Sequence, residues 1–154
     1  MNQPPSFSCS SPNLTCAATF SVGTPFTLRA TPAQLYSFSG WSGGGCSGTA
    51  DCSLALSADT TLTATFTPLP LVEIVGSGTP YLTFAAALAD ADRNVTIKAR
   101  NVPFGEDLTL SQTLDIALFG GFREDFVTAD GYTELRGTLT LSLGSLTVDN
   151  LAIR

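Results

Sequence analysis

The sequence contains no histidine, and only 13% of its 154 residues are charged. The chain therefore lacks the side chain that most often serves as a general base, a pH switch or a zinc ligand. The seven lysines and arginines are spread singly and the net charge is −6, which disfavours binding to nucleic acid or to an anionic membrane surface. No apolar run approaches the roughly 20 residues that span a bilayer. These absences predict a protein with no nucleic-acid partner, no membrane insertion and no histidine-dependent catalysis.

The amino terminus lacks a recognisable export signal. Residues 1–7, MNQPPSF, have neither the charged start nor the apolar stretch of a secretory signal peptide. We therefore expect that Met1 is an expression start or that the chain is a fragment of a longer one.

All four cysteines lie in the first 52 residues, at Cys9, Cys16, Cys46 and Cys52. Four cysteines can pair in three ways, and the local pairs Cys9–Cys16 and Cys46–Cys52 are favoured because each closes a short loop rich in small and polar residues. The alternative is free or zinc-binding thiols, but zinc sites usually have spacers of about two to four residues, and these pairs have six and five. Disulfides predict an oxidising compartment.

Residues 14–67 have the pattern of short strands separated by turns. Apolar and polar side chains alternate in PFTLRAT (25–31) and TLTATFT (61–67), and LTCAATF (14–20) and CSLALS (52–57) are further strand candidates. Alternation with a turn about every ten residues is typical of a small antiparallel β domain. In GWSGGGCSGTADC, we interpret the glycines as a tight corner that Cys46–Cys52 closes, with Trp41 packed nearby. A phosphate-binding loop would need a following helix.

The segment from Gly23 to Phe66 resembles the divergent InlB-type B-repeat, a bacterial surface module. The resemblance is carried by GT-x-x-TL-x-ATPA, F-x-GWSG, CSGT…C and AD-x-TLTATF, in this order and spacing. It implies a small β-grasp-like fold that serves as a spacer or a weak adhesion unit. It also implies an exported bacterial protein, extracellular or at the cell surface.

The proline-containing segment TPLPLVE (67–73) predicts a domain boundary, with a disulfide-clipped module over 1–69 and a second domain over 70–154. In the second domain we expect a helix with Thr79 as N-cap and Pro80 at its first position. Leu82, Ala85, Ala86 and Ala89 would share one face, with Phe84 and Leu88 beside them. The helix would end near residues 90–94. Short strands with Leu or Ile at every second position follow.

The second half resembles the start of a right-handed parallel β-helix of the pectin-lyase kind. The matching segments are FAAALADADRNVTIKA, EDLTLSQT and DIALFGGF. The resemblance implies that the helix caps one end of the coil. The predicted fold class is therefore mainly β, with a small antiparallel β-grasp-like or sandwich module followed by a short, helix-capped parallel β-helix start.

The last segment, SLTVDNLAIR, ends while its apolar residues still alternate with polar ones, and it has no polar cap. Either further sequence follows, or another chain docks on the bare coil. The predicted interface residues are Leu146, Val148, Leu151 and Ile153, and the predicted partner is another protein or a second copy that pairs through strand edges.

Acidic residues offer weak evidence for chemistry. Glu124, Asp125 and Asp130 share the loop 123–131, but they lack the alternating order of a calcium loop, so calcium binding there is left open. No cofactor, metal or catalytic residue is predicted. We expect a non-enzymatic structural or adhesive protein that assembles into a larger surface or filament-like structure. The alternative is a carbohydrate-binding fragment of a polysaccharide-active enzyme, with surface glycan near Trp41, Tyr132 and Arg100 or Arg123.

Overall fold

A computed structural model of the chain describes residues 16–154. The chain divides into two compact units, one up to Pro68 and one from Leu69 onward. The division falls inside the proline-containing segment 67–73. Strands dominate the described residues and α-helix is confined to one short element, so the predicted mainly-β class is confirmed.

The first unit contains two antiparallel strand pairs. Its strands are β1 (Pro25–Leu28), β2 (Tyr36–Ser42), β3 (Cys52–Ala55) and β4 (Thr63–Pro68). β1 pairs with β3, and β2 pairs with β4. The predicted strand over 14–20 is wrong for residues 16–20, which are not in a strand. The Phe20 ring instead stacks on the buried Phe26 with centroids 4.3 Å apart, so an aromatic contact replaces a strand ladder there.

The second unit is a coil of short strands preceded by a hairpin and a helix. Its elements are, in order, β5 (Val72–Ile74), β6 (Pro80–Tyr81), α1 (Phe84–Asp90), β7 (Val95–Arg100), β8 (Pro103–Phe104), β9 (Leu108–Leu110), β10 (Asp115–Phe122), β11 (Thr133–Leu135), β12 (Leu139–Leu141), β13 (Ser145–Asp149) and β14 (Leu151–Ile153).

Successive turns of the coil contribute strands to three parallel sheets. β7, β10 and β13 form the first, β8, β11 and β14 the second, and β9 and β12 the third. The registers align equivalent residues, so that Ile97, Leu118 and Val148 form one column. The ladders between these strands are all parallel, and the stacked aliphatic side chains form the core of the second unit.

The helix begins four residues later than the sequence predicted. Pro80 and Tyr81 form β6, which pairs antiparallel with β5 across a turn with Gly76 and Gly78 at positive φ. The chain is therefore extended where Thr79 and Pro80 were expected to start the helix. Thr83 is the N-cap instead, and its Oγ1 accepts a hydrogen bond from Ala86 N at 3.1 Å.

The later start also changes the buried face of α1. Phe84, Ala87 and Leu88 are buried, whereas all four residues of the predicted face are exposed: Leu82, Ala85, Ala86 and Ala89. The Phe84 ring packs against Phe104 with centroids 4.8 Å apart, which places the helix over the first turn of the coil. Glu106 accepts hydrogen bonds from the backbone N of Phe84 and Ala85, both at 2.9 Å, and so satisfies free amides of the first helical turn.

Candidate interaction surface

The last strand of each parallel sheet exposes side chains whose equivalents in earlier strands are buried. Leu118 is 0% exposed and Val148 in the same column is 39%, Leu135 is 0% and Ile153 is 48%, and Leu110 is 4% and Leu141 is 47%. The exposure rises because no further turn covers the final residue of each column. Two of the predicted interface residues, Val148 and Ile153, are thus exposed, and the other two, Leu146 and Leu151, are half-buried.

The last strand of each parallel sheet is also a sheet edge. Within the described part of the chain, β12, β13 and β14 each pair with an earlier strand on one side only. The sequence of β13, SLTVD, contains no lysine or proline and its pairing with β10 has no bulge, although such features commonly protect exposed edges. The edge of β13 therefore lacks these protective features.

Sequence reasoning missed Leu141 and Leu143, which are exposed beside this surface. The sequence did contain a signal for Leu141, because LTL occurs at 108–110 and again at 139–141. The second LTL forms the last strand of its sheet.

Polar side chains stack at the turns between the sheets. Asn94 Oδ1 accepts a hydrogen bond from Asp115 N at 2.9 Å, and Asn94 Nδ2 donates to Asp115 Oδ2 at 3.1 Å. Ser145 Oγ donates to Asp115 Oδ1 at 2.5 Å, so this ladder continues to the last turn. These contacts join three successive turns where the strands of the first sheet begin, and Asp115 and Ser145 are also partners in the β10–β13 ladder.

A second ladder joins Asp107 to the following turn. Asp107 Oδ1 accepts hydrogen bonds from Thr138 N at 2.7 Å and from Thr138 Oγ1 at 2.8 Å. These bonds favour the charged carboxylate and lower the pKa of Asp107 below its ordinary value. Because the folded pKa is the lower one, this contribution to stability is present above the ordinary pKa near 4 and is lost as the pH falls through the folded value.

Replacing Thr138 with valine should raise the pKa of Asp107 towards its ordinary value. The variant removes the hydroxyl donor and keeps the backbone N–H, so the shift is partial. NMR titration of the Asp107 carboxyl carbon in both proteins measures it. An unchanged titration curve would show that the hydroxyl does not bind the carboxylate in solution.

The loop 123–131 uses its acidic side chains for protein contacts. Glu124 pairs with Arg100 at 3.0 Å, and Asp130 pairs with Arg123. Asp125 accepts hydrogen bonds from the backbone N of residues 127 and 128, and these bonds lower the pKa of Asp125. Among residues 16–154, no three Asp, Glu, Cys or His side chains come together in a group that could hold a metal ion.

The glycine-rich corner has the role that the sequence indicated. Cys46 and Cys52 form a disulfide, as predicted. Gly43 has φ of +84°, and a Cβ there would lie 2.7 Å from Thr61 O, so the corner requires glycine. Trp41 Nε1 donates to Ala50 O at 3.0 Å. The predicted Cys9–Cys16 pair involves Cys9, which lies outside the described residues.

Replacing Cys46 and Cys52 with alanine should destabilise the first unit by about 2 kcal/mol, because the bridge restricts a loop of only a few residues in the unfolded chain. Trp41 is the only tryptophan, so its fluorescence during urea unfolding follows this unit. A midpoint equal to that of the wild-type chain would contradict the prediction. A Ser57→Ala variant, which leaves the disulfide in place, is the control.

The predicted glycan contacts are distributed over both units. Trp41 belongs to the first unit, where its ring packs edge-on against Phe38 at 5.2 Å, and Tyr132 lies exposed in the second. Arg100 is buried and paired with Glu124, and Arg123 is paired with Asp130. Glycan binding by these residues stays a prediction.

Within residues 16–154, no helix combines the length and the apolar character that a bilayer crossing requires.

Comparison with known families finds one similarity, in the region of the first unit. Residues 10–70 match the model of the divergent InlB B-repeat domain, in agreement with the resemblance carried by residues 23–66. No curated protein and no solved structure matches the chain. The first unit is therefore similar to the divergent InlB B-repeat domain, a family associated with bacterial cell-surface proteins.

Proposed function

We propose that the chain is a non-enzymatic structural module of a bacterial cell-surface protein and that its last coil pairs with a second copy. The supporting observation is the rise in exposure along three columns that end at Leu141, Val148 and Ile153. Full burial of an aliphatic side chain contributes roughly 1.5–3 kcal/mol. Covering these three residues therefore offers a substantial driving force for association.

The second unit is, in this proposal, the beginning of a right-handed β-helix of the pectin-lyase kind. Its parallel ladders, its three sheets and the helix over its first turn support that assignment. Parallel coils grow by adding strands at an edge, so the same surface suits strand addition between chains.

The geometry of the edges favours a closed pair over the filament-like assembly expected from the sequence. β5 pairs antiparallel with β7, so β7 itself offers no free edge to the β13 of another copy. An interface that uses one surface of both copies closes as a two-fold dimer. If β13 pairs antiparallel with itself about Thr147, Leu146 faces Val148 and Ser145 faces Asp149, and no like charges are opposed.

Sedimentation velocity tests this proposal. The wild-type chain should sediment as a dimer at micromolar concentration, whereas Val148→Lys/Ile153→Lys should be monomeric because two charges would enter the interface. The control is Val127→Lys, which introduces the same charged side chain at an exposed position outside β12, β13 and β14. A monomeric wild-type chain, or a dimer that persists in the double variant, would contradict the proposal.

Glycan binding is the second candidate function. The strand pair β2–β4 has an aromatic group formed by Phe38, Trp41 and Phe66, with the exposed Tyr36 on the same strand as Phe38. Exposed aromatic rings can stack against sugar rings. Retention of the chain on a polysaccharide column, and its loss in Tyr36→Ala/Phe66→Ala, would support this function, and no retention would contradict it.

A further inference from the structure

We infer that the cleft between α1 and the free edge of β9 binds an extended peptide that carries an apolar side chain and at least one lysine or arginine. This surface lies at the first turn of the coil and is separate from the last-turn surface formed by β12, β13 and β14. The backbone of β9, the shape of the cleft and its charge support this inference.

The first step concerns the backbone of β9. Leu108 N donates to Thr138 O at 2.8 Å and Leu110 O accepts from Ser142 N at 2.8 Å, so both residues direct their backbone groups towards β12. Neighbouring residues in a strand direct these groups to opposite sides. The N–H and C=O of Thr109 therefore point towards α1, away from β12.

The second step compares the edges of β7 and β9 at the first turn. The equivalent edge of β7 is filled, because β5 pairs with it antiparallel. The sheet of β9 contains only β9 and β12 among the described residues. One added strand would give β9 the pairing that β7 already has.

The third step is the cleft itself. It measures about 190 Å³ and is lined on one side by Ala85, Leu88 and Ala89 of α1 and on the other by residues 107–112 and Ile116. One water needs only about 10–15 Å³ of such space, so the cleft admits a side chain. The buried Leu88, Leu110 and Ile116 provide apolar contacts. The small alanines leave room for a strand that places one apolar side chain into the cleft, as in strand addition beside a helix.

The fourth step is charge. Asp107 is the only charged residue that lines the cleft, and Asp90 follows Ala89 directly in α1. No lysine or arginine lines it. A cationic peptide is therefore electrostatically complementary to the cleft and an anionic one is not.

The test uses the labelled peptide Lys-Thr-Leu-Thr-Leu-Ser-Lys, which copies residues 138–142 between two lysines, and fluorescence anisotropy with the full chain. We expect saturable binding that Ala89→Phe weakens at least about tenfold and Ala86→Phe changes less than about twofold. Both positions are exposed on α1, but only Ala89 lines the cleft. Thr109→Pro should also abolish binding, since it removes an N–H that β12 does not use, and replacing both peptide lysines with glutamate should weaken it.

Other variants separate this inference from the proposed dimer. Val148→Lys/Ile153→Lys should keep peptide binding, because the last turn is not part of the cleft. Loss of binding in that variant would place the peptide at the last turn and overturn the inference, as would equal affinities of Ala89→Phe and Ala86→Phe. No binding at about 1 mM peptide, a concentration that detects even a weak complex, would overturn it as well.

Discussion

Replacing Gly121 with alanine should destabilise the second unit by about 2–5 kcal/mol. Gly121 has φ of +83°, which costs an alanine roughly 1–2 kcal/mol. Its Cβ would also lie 2.3 Å from Gly131 O, a backbone atom, so the loop before β11 must shift. Such overpacking typically adds about 1–3 kcal/mol. Urea unfolding followed by far-UV circular dichroism measures the loss.

Gly76→Ala is the matched control for this prediction. Gly76 also has φ of +83°, but no atom lies within 4 Å of a Cβ placed there. This variant should show only the conformational cost, about 1–2 kcal/mol. If both variants lost the same unfolding free energy, the loop before β11 would move without an energetic cost. The contact with Gly131 would then not constrain position 121.

Replacing Leu118 with alanine should lower the free energy of unfolding of the second unit by about 2–5 kcal/mol, the range for truncating a leucine in a packed core. Leu118 is fully buried between Ile97 of the preceding turn and Val148 of the following one. The cavity would interrupt the central column of the coil. The urea midpoint of the second unit should fall, while the Trp41 fluorescence transition of the first unit should stay where it is.

Leu141→Ala removes the same atoms at the end of a neighbouring column. Leu141 is about half exposed, so its truncation should cost clearly less than that of Leu118. If the chain forms the proposed dimer, the stability lost in Leu141→Ala should increase with protein concentration, because association then buries Leu141 in the wild-type chain. If Leu118→Ala lowered the free energy of unfolding no more than Leu141→Ala does, the column that contains Leu118 would not be the core of the unit.

Most of the fold could be predicted because it follows local periodicity. Alternating apolar residues in VTIKAR, DIALFGGF and SLTVD identify strands, and their repetition predicts stacked turns. The disulfide Cys46–Cys52 followed from a short glycine-rich loop. The helix start could not be predicted in this way. Thr79-Pro80 is a good local start signal, but the pairing of Tyr81 with Val72 requires extended backbone there.

The candidate sites also differ in how far the sequence could predict them. The exposure of Val148 and Ile153 could be predicted from the sequence, because they occupy the last period of a repeat. The cleft beside β9 was not, since it depends on which side chains of α1 face the coil, and the predicted face was wrong. Glu106 accepts hydrogen bonds from helix amides 22 and 21 positions away in the chain, and no local pattern indicates this pairing.

The sequence by itself determined that the chain is mainly β, that its second half winds as parallel turns, and that histidine chemistry is absent. Only the tertiary structure decided where the helix begins, which acids are paired and which leucines of the repeat stay exposed. The reason is physical: strand and turn preferences act between neighbours along the chain. Burial and the pairing of charges and amides depend on residues that approach only after the coil has formed.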